Sequence, residues 1–264
     1  MLAKLLFLSF LLLTQLFSSS VNNEKQIGIY EQLGRTIPLD TIFTDEYQQT
    51  KQLQNFLENK PTVLTLNYFS CPSLCSPLLI SVAKTLDKLQ LKPYLDYKAI
   101  TISIDPQDTY KTALEKKETT TSVIKRAFPP QTWSFLTANQ HNIDAITDAV
   151  GFKYETRQKE GIIDYLHPAA IIVISPNGKI TRYLNGIEFL PFDLKLAILE
   201  ASEEKTGPTI AKTLLYCFAY DPQSKRYIFQ AEKIVGIVIL LIIFIFFIYL
   251  IKSGQKNKGK KDDK

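Results

Sequence analysis

Cysteine and histidine are scarce in this chain, with three cysteines and two histidines among 264 residues. Three cysteines are too few for a disulfide-stapled scaffold, so a hydrophobic core must stabilise the fold. Two of them lie only four residues apart, at positions 71 and 75, which is a short spacing for a loop-closing disulfide. The sequence also lacks internal repeats, and its low-complexity content is confined to a Lys-rich C-terminus. Local chemistry is therefore the favoured use of the cysteine pair.

Most of the chain carries almost no net charge. The formal net charge is +5, but Lys4 together with the six Lys and two Asp of residues 252–264 accounts for it. The rest of the chain is close to neutral, so the sequence offers no surface pattern for binding nucleic acid.

The first twenty residues have the layout of a secretory signal peptide. Residues 1–20 contain one Lys, an apolar run from Leu5 to Leu13 that continues through Phe17, and three terminal serines. This order of charge, apolar stretch and small residues predicts export. An uncleaved membrane anchor is the alternative interpretation.

A second apolar run lies near the other end of the chain. Residues 234–251 carry no charge, and at about 1.5 Å rise per residue they would span roughly 27 Å, close to the thickness of a bilayer core. The run has no polar face, which disfavours a buried core helix and favours a transmembrane helix. By the positive-inside rule the tail, 252–264, is cytoplasmic and residues 21–233 are extracytoplasmic.

The central part of the chain alternates strand and helix patterns. Residues 62–69 form an apolar, β-rich run, and apolar residues recur at helical spacing from Leu78 to Leu89. The other predicted elements are strands at 97–104 and 133–136, helices at 109–117 and around 143–150, a hairpin of 169–175 with 179–184, and a helix at 192–203. This order predicts an α/β sandwich around a mixed sheet. A cysteine pair that opens the first helix favours the thioredoxin-like arrangement.

The cysteine pair, Cys71-Pro-Ser-Leu-Cys75, lies where the first strong strand meets a helix. Backbone N–H groups and the helix dipole lower the pKa of a thiol at a helix start and favour the thiolate. A thiolate can bind a metal or attack a disulfide, so both uses are open. A plain disulfide and two buried small hydrophobic residues are the alternatives without a chemical role.

Each of the two histidines can be weighed separately. His141 lies at a predicted helix start, where polar residues act as caps, and we interpret it as structural. His167 precedes an apolar strand, in the loop where a thioredoxin-like fold returns past the cysteine turn. Two thiolates with one imidazole form a soft set of three ligands, which suits Cu(I) or Cu(II) and leaves Zn²⁺ without its usual fourth protein ligand. A satisfied loop histidine is the alternative for His167.

Several separate motifs follow one another in the order found in a known family. They are Glu31-Gln-Leu-Gly34, Ile37-Pro-Leu39, Phe43-Thr-Asp-Glu46, Asn67-Tyr-Phe-Ser-Cys71-Pro-Ser-Leu-Cys75, Ser103-Ile-Asp105-Pro-Gln-Asp108-Thr, His167 followed by Ile174-Ser-Pro-Asn-Gly178, and Arg182-Tyr-Leu-Asn-Gly186. With these motifs, residues 27–229 resemble the Sco/SenC family of copper chaperones for cytochrome c oxidase assembly. Residues 216–222 and the apolar run after them resemble a bacterial branch that is tethered to the membrane at its C-terminus.

The resemblance implies copper ligation by Cys71, Cys75 and His167, with a supporting role for Asp105 at the end of a strand. The chain departs from the family at Leu166, where family members often have an acidic or polar residue before the histidine. Support for the imidazole must then come from elsewhere, and Asp164 is the candidate.

The main functional hypothesis is a copper metallochaperone that delivers copper to the binuclear copper centre of a terminal oxidase. Its partners would be the copper-bearing subunit of cytochrome c oxidase, a copper donor and a thiol reductant, because an oxidising exterior closes unprotected thiol pairs. Such a protein is not an enzyme in the strict sense. The competing hypothesis is a membrane-anchored thiol–disulfide oxidoreductase, in which Cys71 attacks, Cys75 resolves and His167 tunes the thiol pKa.

Six segments follow from these patterns. They are a signal peptide (1–20), an N-terminal extension (21–59), a thioredoxin-like copper-binding domain (60–205), a juxtamembrane segment (206–233), a transmembrane helix (234–251) and a Lys-rich cytoplasmic tail (252–264). The third cysteine, Cys217, has apolar neighbours and is interpreted as structural, with a resolving thiol as the alternative. The expected location is the cell membrane, with the functional domain on the periplasmic side.

Overall fold

The computed structural model describes residues 27–70, 75–159, 162–207, 218–221, 226–229 and 246. Its strands are β1 (Gly28–Ile29), β2 (Ile42–Thr44), β3 (Thr50–Gln52), β4 (Thr62–Asn67), β5 (Lys98–Ser103), β6 (Trp133–Leu136), β7 (Phe152–Lys153), β8 (Glu155–Lys159), β9 (Ile162–Leu166), β10 (Ala170–Ile174), β11 (Ile180–Asn185), β12 (Phe218–Asp221) and β13 (Arg226–Phe229). Its helices are α1 (Leu53–Leu57), α2 (Cys75–Lys88), α3 (Tyr110–Thr121), α4 (Gln140–Ala149) and α5 (Pro191–Ser202).

A five-stranded mixed sheet forms the centre of the fold, in the order β11-β10-β4-β5-β6. Strands β4, β5 and β6 are parallel, whereas β10 runs antiparallel to β4 and to β11. The predicted hairpin is confirmed as β10 and β11, joined by a turn at Pro176-Asn-Gly178. Because β4 is paired on both sides, its six residues are all buried, as its continuous apolar pattern predicted.

Helices cover both faces of the sheet, which makes the molecule the predicted α/β sandwich. Side chains alternate along β4, so Leu64 and Leu66 pack on the face covered by α1 and α4. Val63 packs on the opposite face, against α2, α3 and α5. The apolar residues that predicted the helix after the cysteine pair, from Leu78 to Leu89, are buried on this second face.

Residues 37–57, which the sequence assigned to an N-terminal extension, pack against the central sheet. The hairpin of β2 and β3 places Thr44 beside Thr137, just after the edge strand β6, and their backbones exchange two hydrogen bonds of 2.9 Å. Leu53, Phe56 and Leu57 of α1 are buried in the same core cluster as Leu64. The segment therefore covers a sheet edge that would otherwise expose unpaired backbone groups.

No helix within the described ranges has the length and apolar character needed to cross a bilayer. The predicted signal peptide, 1–20, and tail, 252–264, lie outside the described residues, as does the predicted transmembrane segment, 234–251, apart from Phe246. Cys217 also lies outside them.

Candidate metal site

Cys75 is the first residue of α2, at the positive end of the helix dipole. In the sequence, residues 68–74 join the end of β4, at Asn67, to Cys75; this segment contains Cys71 and is called the cysteine loop. No acidic residue occupies the first turn of α2, so no carboxylate of that turn offsets the dipole. The predicted position of the pair at a strand-to-helix turn is confirmed for Cys75, whereas Cys71 and the side chain of Cys75 lie outside the described residues.

His167 lies between β9 and β10, at the same end of the sheet as the start of the cysteine loop. Strand β10 pairs antiparallel with β4 so that Ile172 is opposite Leu64. Extending this register towards the start of β10 brings residues 167 and 168 to the level of residues 68 and 69. The contact between the rings of His167 and Tyr68, with centroids 6.0 Å apart, shows the same proximity.

The imidazole of His167 is held between two aromatic rings. Tyr68 meets it edge-on, with an interplanar angle of 84°, and Phe152 stacks on it at 6.0 Å and 29°. Its Nδ1 lies 3.0 Å from the carbonyl oxygen of Pro168. Because a carbonyl can only accept a hydrogen bond, Nδ1 must carry the proton, and in the neutral ring Nε2 then carries the lone pair that could bind a metal.

Burial lowers the pKa of His167, while the hydrogen bond to Pro168 and the charge of Asp164 act in the opposite direction. The net lowering favours the neutral imidazole at neutral pH, and the neutral ring is the form that ligates a metal. The electrostatics of this loop are thus compatible with a ligand role for His167.

The two carboxylates proposed to support the site accept hydrogen bonds from tyrosines. Asp164, which is exposed, accepts a hydrogen bond of 2.5 Å from the hydroxyl of Tyr68. Asp105, which is buried, accepts a hydrogen bond of 3.0 Å from the hydroxyl of Tyr165, and the pKa of that hydroxyl is raised by burial and by Asp105. Asp164 therefore contacts Tyr68, whose ring packs against His167, and its charge acts on the imidazole.

Asp108 contacts the entrance of the cysteine loop directly. Its carboxylate accepts hydrogen bonds from the backbone N–H of Phe69 at 2.7 Å and from the hydroxyls of Ser70 and Ser103, both at 2.6 Å. The motif at 103–108 contains this residue, but the sequence could not indicate which of its two carboxylates faces the loop.

The second histidine lies in a different setting. His141 is exposed in the first turn of α4, and the helix cap is the side chain of Asn139, which accepts a hydrogen bond of 3.0 Å from the N–H of Asn142. Within the described residues there is no cluster of three His, Cys, Asp or Glu side chains able to hold a metal. The ligand set of Cys71, Cys75 and His167 stays a prediction, because its two thiols are not among those residues.

The sequence matches a family model and a curated relative. Residues 42–193 match the model of the SCO1/SenC family. The SCO1 protein homolog of Bacillus subtilis (strain 168) is 24% identical over 153 residues, which cover 57% of this chain and 76% of that protein.

Solved structures share the fold. A protein of Aquifex aeolicus VF5 is 26% identical with a TM-score of 0.57, over 65% of this chain and 95% of that one. Copper-bound ScoI of Arabidopsis thaliana is 18% identical with a TM-score of 0.51, over 65% and 99% of the two chains. BsSco, a member of the Sco family of cytochrome c oxidase assembly proteins with a disulfide switch, is 19% identical with a TM-score of 0.51, over 69% and 100%.

The family model covers more than half of the chain, and it spans β4, the start of α2 and the His167 loop. The mixed sheet with helices on both faces is the fold of these Sco structures. The chain belongs to the SCO1/SenC family.

Proposed function

We propose that this protein is a copper metallochaperone that binds copper through Cys71, Cys75 and His167. One observation carries the proposal. The imidazole of His167 lies at the end of the sheet where the chain enters the cysteine loop, and its Nδ1 is committed to the carbonyl of Pro168. That tautomer provides Nε2 as the ligand atom, at the end of the sheet where Phe69 and Ser70 precede Cys71 in the chain.

The chemistry of the ligands favours copper as the cargo. Two thiolates and an imidazole are soft ligands, and three of them leave a coordination position open. An open position allows a ligand of the recipient protein to enter before the donor ligands leave. A structural Zn²⁺ site would instead be closed by a fourth protein ligand.

The relatives support the same cargo and destination. ScoI of Arabidopsis thaliana is a similar structure that holds copper, and BsSco belongs to a family of cytochrome c oxidase assembly proteins. The proposed recipient is therefore the copper-bearing subunit of a cytochrome c oxidase, at its binuclear copper centre. A copper donor and a thiol reductant complete the set of partners, because the thiols must be reduced to bind the metal.

The proposed location is the cell membrane, with the metal-binding domain on the periplasmic side. The support comes from the apolar runs at 1–20 and 234–251 and from the Lys-rich tail at 252–264. A tether on the donor and a membrane-embedded recipient would keep the two partners close to the same surface.

Copper stoichiometry tests the ligand set. The full chain is purified in detergent, loaded with Cu(I) under reduction, and its bound copper is counted and its affinity measured by competition. We expect about one copper per wild-type chain, with weaker binding in Cys71→Ser, Cys75→Ser and His167→Ala. The matched control is His141→Ala, which removes the other, exposed histidine and should bind like the wild type. Wild-type copper content and affinity in His167→Ala would refute the three-ligand site.

A thiol–disulfide oxidoreductase is the second candidate. The position of Cys75 at the start of α2 favours it, because a helix N-terminus stabilises a thiolate as well for disulfide exchange as for metal binding. The two candidates separate on His167. In a pure oxidoreductase, the oxidase-assembly phenotype of His167→Ala follows its rate of copper-independent exchange with an exported disulfide substrate rather than its copper content.

A further inference from the structure

We propose that Asp108 is a positioning residue that fixes the backbone next to Cys71, and thereby sets the geometry of the thiol pair for copper. The inference rests on the proposed function, since it concerns the same site. The side-chain contacts described for Asp108 are with Phe69, Ser70 and Ser103, so the proposed action on the metal runs through the backbone before Cys71.

The carboxylate joins two elements across the site. One oxygen, Oδ2, accepts hydrogen bonds from the N–H of Phe69 at 2.7 Å and from the hydroxyl of Ser103 at 2.6 Å. The other, Oδ1, accepts a hydrogen bond of 2.6 Å from the hydroxyl of Ser70. Ser103 is the last residue of β5, while Phe69 and Ser70 begin the cysteine loop.

The carboxylate is itself rigidly held. Only 6% of Asp108 is exposed, so its hydrogen bonds are shielded from competition by water. Its backbone N–H donates to the carbonyl of Asp105 at 3.2 Å, and the following residue, Thr109, caps α3. The ring of Phe69 is also buried and packs 5.7 Å from the ring of Phe135. Neither Asp108 nor Phe69 can therefore move easily.

This arrangement bears on Cys71 because Ser70 is its neighbour. Consecutive Cα atoms are about 3.8 Å apart across a trans peptide, so fixing Ser70 limits where the Cα of Cys71 can lie. Cys75 is fixed independently as the first residue of α2. Asp108 thus holds one end of the Cys71-to-Cys75 segment while the helix holds the other. A charge-assisted hydrogen bond to a backbone N–H is strong enough for this task.

Two substitutions of Asp108 distinguish the loss of hydrogen-bond acceptors from a change in side-chain size. Asp108→Ala removes all three acceptor contacts, whereas Asp108→Asn keeps an oxygen for the Phe69 N–H and presents an amide N–H₂ to the hydroxyl of Ser70, which can accept. We expect copper affinity to fall about 10- to 100-fold in Asp108→Ala and to be largely restored in Asp108→Asn.

A second buried aspartate provides the matched control. Asp45 is 7% exposed and accepts hydrogen bonds from the N–H groups of Tyr47 and Gln49, at 3.0 and 2.8 Å, in the turn between β2 and β3. Asp45→Ala should lower stability through a similar loss of acceptor contacts and leave copper affinity unchanged. If Asp45→Ala weakens copper binding as much as Asp108→Ala does, the effect is general destabilisation and the proposal is wrong.

A measurement without copper distinguishes this proposal from the proposed function. The Cys71–Cys75 disulfide is equilibrated with dithiothreitol, which gives two electrons and two protons to the pair and becomes a cyclic disulfide. A loosened loop lowers the effective concentration of one thiol at the other, so we expect the disulfide of Asp108→Ala to be reduced more easily than that of the wild type.

The outcomes are separable. If wild-type protein binds no copper, the proposed function fails while the dithiothreitol equilibrium still tests Asp108. If Asp108→Ala does not fold, Ser70→Ala tests the same contact, since Ser70 is exposed and its loss removes one hydrogen bond. A disulfide equilibrium and copper affinity equal to the wild type in the folded variant overturn the proposal.

Discussion

At the scale of single residues, the hydroxyl of Tyr183 joins the N-terminal segment to the end of α4. It accepts a hydrogen bond of 3.0 Å from the N–H of Gln32 and donates one of 2.9 Å to the carbonyl of Val150. Tyr183→Phe leaves that buried carbonyl without its donor. We expect the free energy of unfolding at pH 7 to fall by about 1–3 kcal/mol, measured by urea denaturation.

Tyr183 also makes the free energy of unfolding depend on pH in the alkaline range. Burial raises the pKa of Tyr183 to about 12, whereas a tyrosine in the unfolded chain titrates near its ordinary value of 10.0. Below pH 10 both the folded and the unfolded chain keep the phenolic proton of Tyr183, and the contribution of this residue to stability is fully present. Between pH 10 and 12 only the folded state keeps it, so stability falls as the pH rises. Tyr183→Phe should therefore lose less stability than the wild type across this window, and an equal slope would contradict the assignment.

At this scale, the sequence was sufficient where a residue type is rare enough to leave few candidate ligands. With two histidines, the position of His167 before an apolar strand distinguished it from His141, and the structure places it beside the cysteine loop. It did not find Asp108, because Asp105 and Asp108 lie in one short motif and only the turn at their backbone decides which carboxylate faces Phe69. The packing partner Phe152 was also missed, since its contact with His167 is long-range.

At the scale of elements, a buried ion pair connects the β2–β3 turn to α3 and to the edge strand β6. The side chain of Lys117 is 7% exposed and pairs with that of Glu46, which is 3% exposed. Lys117 also donates to the carbonyl of Pro130 at 2.8 Å. The other carboxylate oxygen of Glu46 accepts the N–H of Phe135 at 2.9 Å. Three elements therefore depend on one carboxylate.

Removing one partner of this pair should be far more costly than removing both charges. Lys117→Met leaves Glu46 buried and uncompensated, and we expect a loss of about 3–5 kcal/mol in the free energy of unfolding. Adding Glu46→Gln keeps an acceptor for the N–H of Phe135 and should recover a large part of the loss, as a double-mutant cycle would show.

An exposed pair serves as the control for this cycle. Lys153 pairs with Asp148, whose side chain is 69% exposed. Lys153→Met should change stability by less than about 1 kcal/mol, because solvent screens surface pairs. A comparable loss in Lys153→Met and Lys117→Met would show that burial of the Glu46 pair is not what matters.

The elements that the sequence predicted share a buried face, whereas strand β8, which it missed, lacks one. The hairpin of β10 and β11 and the helices α2, α4 and α5 carry apolar residues at strand or helix spacing, and the structure confirms them. Strand β8, by contrast, reads Glu-Thr-Arg-Gln-Lys and pairs only with β9, apart from the central sheet. Without a core to cover, its residues show no alternation that could predict a strand.

At the scale of the whole molecule, His167 and Gly207 lie at different levels along the β10–β11 hairpin. His167 precedes β10, whose first residue, Ala170, pairs with Asn185 at the end of β11. Near the other end of β11, the N–H of Gly207 donates to the carbonyl of Thr181 at 3.1 Å. At about 3.3 Å per residue, roughly four residues of strand, or about 13 Å, separate these two levels.

Gly207 lies close to the ion pair of Arg182 and Glu200. A Cβ at this position would lie 2.1 Å from Nη2 of Arg182 and 2.4 Å from Oε2 of Glu200. A side chain at position 207 would therefore force this ion pair to shift.

The proposed membrane span at 234–251 leads to a labelling prediction. With the three native cysteines replaced by serine, Lys111→Cys places a thiol on the exposed surface of α3, and Ser253→Cys places one just after the proposed span at 234–251. A membrane-impermeant maleimide should label Lys111→Cys in intact cells and Ser253→Cys only after permeabilisation, because the Lys-rich tail stays on the cytoplasmic side. Labelling of Ser253→Cys in intact cells would reverse the topology, and the domain could then not meet an extracytoplasmic copper centre from this tether.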